Sequence, residues 1–197
     1  LFQELFGLAC GKKATPVRAL SLSILLLLAP LAWARRAGDP RIDGLTASAS
    51  SGKVAVHFAL INGFDRPQLL EGLQSGVPTS FSYVVEIFRD RPNWFDEGIG
   101  RSRIEVICTF NSVTREYLLN YRRDRKLVRS ETFSDLASLK ARMTAIDEPA
   151  LFDIGARPFY KLRVRVKADL MRGWLLYFIP WEVSTRWLEA KVLEARP

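Results

Sequence analysis

Val54, Val56, Phe58 and Leu60 alternate with Lys53, Ala55, His57 and Ala59, a period of two that predicts a strand with one buried face. Phe81, Tyr83, Val85 and Ile87 repeat the pattern over 79–90, and Pro92, Asn93 and Gly98 to Gly100 supply a turn into a partner strand at 101–111. A second hairpin joins Thr114 to Arg122 with Lys126 to Phe133 around Arg123-Asp124-Arg125, whose cations also discourage edge pairing. The clearest alternation is the last, with Tyr160, Leu162, Val164, Val166, Ala168 and Leu170 set against Lys161, Arg163, Arg165, Lys167 and Asp169. Two helices interrupt the strands. One, capped by Asp65 with Pro67 in its first turn, runs through Gln74 and carries Leu69, Leu70 and Leu73. The other follows Ser134 and carries Leu136, Leu139 and Met143 as a core stripe. A linker and weak first strand occupy residues 35–52, with the strand near Ile42 to Ala47, and the stretch 181–193 fits a strand or a helix equally well.

Short strands, tight turns and two short helices predict a mainly β domain over residues 53–197, as an immunoglobulin-like antiparallel β-sandwich of seven or eight strands. An α+β antiparallel sheet with helices on one side is the alternative. Tyr160, just after Leu151 and Gly155, is either a tyrosine corner bonding its hydroxyl to upstream backbone or an ordinary boundary tyrosine.

Residues 1–34 read as an address. Lys12, Lys13 and Arg18 precede the fifteen-residue apolar run Ala19 to Trp33, which ends in Ala32-Trp33-Ala34 before Arg35-Arg36, the order of a signal peptide cut after Ala34. The run is shorter than the ~20 residues needed to cross a bilayer, although the flanking arginines leave an uncleaved inner-membrane anchor as the alternative. The chain opens on Leu1, which leaves room for upstream sequence within residues 1–13. The expected location is therefore periplasmic or secreted.

The net charge of +8 falls to +6 when residues 1–34 are removed, because Lys12, Lys13, Arg18 and Glu4 leave with them. An exported basic domain meets acidic protein, polysaccharide or lipid headgroups rather than nucleic acid. One His and two Cys among 197 residues cannot build a zinc cage or a His-based triad, and no cofactor is expected. Cys108 falls on the alternating run Ile104, Val106, Cys108, Phe110 and reads as a small buried hydrophobe. His57 lies on an outward face. Asp96-Glu97 and Asp147-Glu148 are adjacent acids of the kind that face water, and Ser48 to Lys53 lacks the spacing and the Ser or Thr of a phosphate loop. No catalytic residue is assigned.

The ordered set Val54-Ala-Val-His-Phe58, Leu73-Gln-Ser-Gly-Val-Pro78, Trp94, Thr114-Arg-Glu-Tyr117, Phe133 with Leu136 and Leu139, and Tyr160-Lys-Leu-Arg-Val-Arg-Val166 resembles a known family over residues 41–193. It is that of the uncharacterised exported bacterial proteins grouped as domain of unknown function four-three-nine-zero. The resemblance implies an exported protein and attaches no activity, cofactor or catalytic residue.

Two surfaces remain as candidates. Trp174, Tyr177, Phe178, Trp181, Arg186 and Trp187 combine rigid aromatic area with cations, as binding hot spots do, or close the core. Lys161, Arg163, Arg165 and Lys167 form a positive stripe, or a solvated face paired with acids such as Glu86 or Glu105. The expected function is a non-enzymatic interaction module with a protein partner in the cell envelope. The alternatives are a carrier or sensor of a small apolar or anionic ligand, docking on an anionic membrane surface, and, last, a hydrolase.

Overall fold

Alternation with one face apolar produces the strands, and the computed structural model describes residues 38–91, 95–175 and 179–194. The strands are β1 (Arg41–Ser50), β2 (Lys53–Ile61), β3 (Thr79–Arg89), β4 (Glu97–Asn111), β5 (Glu116–Arg123), β6 (Lys126–Phe133), β7 (Ala145–Asp153), β8 (Leu162–Leu175), β9 (Ile179–Ser184) and β10 (Leu188–Glu194). Among the described residues there are also two helices, α1 (Pro67–Gln74) and α2 (Leu136–Thr144), and a 3-10 turn at Phe159–Lys161. Residues 1–34, read above as a signal peptide, and Trp94, Tyr177 and Phe178 lie outside the described residues.

The domain is mainly β, but its layers are not those of an immunoglobulin sandwich. One mixed sheet runs β6-β5-β4-β3-β8-β10-β1-β2-β7, with β9 extending β8 as a hairpin. All described pairings are antiparallel except β1 with β10, where Ala47 faces Val192. The sheet curls on itself instead of stacking on a second one. Phe58 on β2 and Tyr83 on β3 are separated in the sheet by three strands, yet their rings meet edge to face at 5.4 Å. Phe58, Phe81, Tyr83, Ile87, Ile104, Val164 and Val166 line this interior with no exposed surface, each such side chain contributing about 1.5–3 kcal/mol by leaving water.

Gly100 leaves room for the Phe152 ring across that interior. A Cβ there would meet Phe152 Cδ1 of β7 at 3.2 Å and Ile87 Cγ2 at 3.3 Å, a tight fit that the missing side chain avoids. Helix α2 joins edge strand β6 to edge strand β7, and inserts Leu139 and Met143 into the core.

Several expectations need correction. Asp65 does not cap α1: the residue before the helix is Arg66, in extended conformation with no side-chain cap, because Pro67 excludes helical geometry from its predecessor. Residues 41–50 form the first strand, longer than the weak strand expected near Ile42 to Ala47. Their signal is weak because the buried positions between β2 and β10 are the small Ala47 and Ala49. Strand β7 escapes the pattern altogether, since Pro149 sits inside it and Glu148 occupies an inward position. It is an edge strand with a register shift against β2 between Val54 and Val56, where a missing N–H is tolerated. Over 181–193 the chain finishes β9, turns through 185–187 and enters β10, which inserts between β8 and β1.

The β5–β6 turn is where sequence and geometry disagree most locally. Asp124 and Arg125 take φ of 49° and 68°, the pair of left-handed values that suits a two-residue hairpin but that arginine adopts at a cost. Asp124 compensates by accepting from the Ser102 hydroxyl at 3.0 Å and the Arg103 amide at 2.8 Å. Arg125 has no such tie. Arg125→Gly is expected to stabilise the fold by about 0.5–1 kcal/mol, read as a higher urea midpoint with an unchanged slope.

Candidate functional site

The outer face of β8 carries alternate cations because its inner face is committed to Leu162, Val164, Val166 and Ala168. Arg163, Arg165 and Lys167 stand on this face. Lys161 does not, since it belongs to the 3-10 turn before the strand. Each strand cation meets an acid. Arg163 reaches Asp90 at 2.9 Å, Arg165 reaches Glu86 at 2.7 Å, and Lys167 reaches Asp169 at 3.2 Å. Glu86 belongs to β3 and lies in direct register with Arg165.

Arg165 also organises the aromatic part of the face. Its guanidinium lies 4.9 Å from the Trp187 ring centroid and 5.5 Å from that of Phe88. Phe88 is buried, although it points outward, whereas Trp187 keeps 41% of its surface exposed. Glu86 fixes the guanidinium between the rings by accepting from Nε and Nη2, and its other oxygen lies 3.6 Å from Arg101 Nε. A cleft of about 430 Å³ adjoins the cluster, lined by Glu86, Phe88, Asp96, Ile99, Arg101 and Arg165. Arg186 is exposed beside Trp187. Of the remaining aromatic candidates, Tyr177 and Phe178 lie outside the described residues, as do the side chains of Trp174 and Trp181.

A short loop holds Trp187 in place. Thr185, only 5% exposed, donates its backbone N–H to the Ala168 carbonyl at 2.8 Å, and its hydroxyl oxygen accepts from the Ala168 N–H at 3.0 Å. The chain therefore leaves β9 pinned to β8, and Trp187 emerges two residues later at a fixed place over the sheet.

Tyr160 is not a tyrosine corner. Its ring is 69% exposed, with the Lys161 ammonium 5.8 Å from its centroid, because the 3-10 turn carries it off the strand before the inward alternation begins at Leu162.

A polar cluster that sequence reasoning missed ties the two ends of the sheet together. Glu148 of β7 is 5% exposed rather than facing water; it accepts from the Tyr121 hydroxyl of β5 at 2.6 Å and from Arg123 at 2.9 Å. Asp147, its neighbour, is exposed and opposite His57. Arg129 lies 4.1 Å from the Tyr121 ring centroid, and Glu131 receives Arg142 at 3.1 Å and Arg129 at 3.2 Å. Burial, the Glu148 hydrogen bond and the Glu148 charge all hold the Tyr121 phenol well above its ordinary range. Tyr83 donates to the Met143 carbonyl at 2.8 Å, and burial raises its phenol likewise. Both hydroxyls are spent on closing the fold. A glutamate at an inward position between Ile146 and Phe152 was the available signal.

Burial pushes the Cys108 thiol up to about 11, so it is protonated at neutral pH and unreactive. Among the described residues no three His, Cys, Asp or Glu side chains gather as ligands to a metal would.

A family model described as Domain of unknown function (DUF4390) matches residues 37–190. No curated protein and no solved structure matches the chain.

Proposed function

Because the chain belongs to the DUF4390 family, whose description supplies no reaction, function has to be argued from the site, and we propose a non-enzymatic interaction module of the cell envelope. Its docking face is the outer surface around Trp187, Arg165 and Arg186. Export is supported by the order of charges, apolar run and small residues over 12–36.

The observation that carries the reading is the presentation of Trp187. The ring is neither buried nor free: Arg165 backs it, Glu86 backs Arg165, and 41% of its surface stays open. Tryptophan and arginine dominate binding hot spots, and a ring already held in one orientation loses less entropy on docking. Arg101, with its side chain 62% exposed, and Arg186 favour a partner whose rim carries carboxylates. The filled interior of the sheet favours docking on the surface over carriage of an apolar ligand inside it.

The test is mild cross-linking in the native envelope with a C-terminally tagged chain, followed by mass spectrometry and an affinity measurement on the captured protein. Trp187→Ala is expected to weaken that affinity tenfold or more, while its far-ultraviolet spectrum and melting midpoint stay near wild type. Equal capture by the folded variant would remove Trp187 from the interface and the reading with it.

A further inference from the structure

We propose that the cleft at the rim of the sheet, between the end of β3, the 3-10 turn, the start of β8, and β10, is a binding site for a doubly charged phosphoryl group. The inference does not depend on the Trp187 face. The cleft has a volume of about 490 Å³ and is lined by Arg89, Arg91, Lys161, Arg163 and Lys191, with Asp90 the acid in its wall.

Local charge is unbalanced there. Glu97 serves both Arg89 and Arg91, while Arg163 has Asp90 at 2.9 Å and Glu189 at 3.9 Å. Among the described residues Lys161 and Lys191 make no ion pair. Five cations therefore share three carboxylates, leaving two positive charges at the cleft.

The register sharpens the point. Lys191 is directly opposite Arg163 on the adjacent antiparallel strand, a like-charge pairing that costs stability. Two residues along the same face, Arg165 faces Glu189 on one side and Glu86 on the other. The sheet thus matches charges at one step and opposes them at the next, where the cleft opens.

A second, independent sign is Arg89. Its Nε is buried in a wall of the cleft and has no hydrogen-bond acceptor among the described residues, a donor that a ligand oxygen would satisfy. Guanidinium forks and lysine ammonium groups together are the usual donors to phosphate oxygens, and a dianion neutralises two excess charges where a single carboxylate would leave one. The exposed ring of Tyr160 walls the cleft and suits the remainder of a phosphate ester.

Inorganic phosphate at a pH above its second ionisation, where it is a dianion, is the probe for the free group, and vesicles of phosphatidylcholine with and without phosphatidic acid are the probe for a headgroup. Wild type is expected to bind inorganic phosphate at one site per chain by titration calorimetry, or to sediment only with vesicles containing phosphatidic acid. The first result identifies a soluble phosphate compound and the second a membrane headgroup. Lys161→Glu/Lys191→Glu should weaken whichever binding is seen at least tenfold, while Lys126→Glu, on β6 and outside the lining of the cleft, leaves it within twofold. Lys191→Glu alone should raise the melting midpoint by about 1–3 °C, because it converts the opposed cations into an ion pair. Binding by neither probe, or binding that the double variant keeps, would overturn the proposal.

Discussion

Glu148→Ala is expected to cost about 3 kcal/mol of folding stability, more than a surface carboxylate on an edge strand would suggest. Its side chain is 6% exposed and receives both the Tyr121 hydroxyl and Arg123, so removal leaves a buried phenol donor without an acceptor and a guanidinium without its counter-charge. Breaking a buried pair from one side costs ~3–5 kcal/mol, and the lower end applies because Arg123 keeps 38% of its side chain in water and rehydrates. Tyr121→Phe deletes the donor instead and leaves Glu148 still paired with Arg123; it should cost about 1 kcal/mol. The double variant should then cost less than the two losses added, because the phenol orphaned by the first change is absent in the second. Urea denaturation of the four proteins measures this directly. A loss below about 1 kcal/mol in Glu148→Ala would mean that the two ends of the sheet are held by apolar packing around Phe152 and Met143, not by this cluster.

Val164→Asp is expected to prevent folding, whereas Arg163→Asp, one residue earlier, should yield a folded protein. Val164 has no exposed surface and lies in the curled interior. A carboxylate there loses the apolar contribution of the valine and must be desolvated without a partner, several kcal/mol against a total stability of about 5–15 kcal/mol. Arg163 has 38% of its side chain exposed on the opposite face. Its replacement exchanges attraction to Asp90 for attraction to Lys191, and such exposed pairs are worth about 1 kcal/mol or less. Soluble yield and far-ultraviolet circular dichroism separate the two outcomes, and similar behaviour of both variants would place β8 in the wrong register.

The strands with one clean apolar face were legible in the sequence because burial on a pleated sheet acts on every second residue. Val54 to Leu60, Phe81 to Ile87, Ile104 to Cys108 and Leu162 to Leu170 all bury the residues their alternation selects. Strand β7 was illegible for the same physical reason. Its inward positions include Glu148, whose burial is made tolerable by Tyr121, 27 residues away in the chain. The candidate surfaces divide in the same way: the basic alternation of β8 was visible, while the stacking of Arg165 between Phe88 and Trp187 required two strands and a loop to meet.

Local alternation by itself determined that this is a mainly β chain, where most of its strands run and which face of each turns inward, since the energy of burying a side chain depends on its own position in the pleat. It could not determine what covers that face. Whether the sheet stacks on another or curls on itself, whether β10 enters beside β1 in parallel, and whether Arg163 faces an acid or Lys191 are decided by contacts between residues far apart in sequence. Among those contacts are the close packing of Phe152 over Gly100 and the Tyr121–Glu148 hydrogen bond, which join strands from opposite ends of the sheet order.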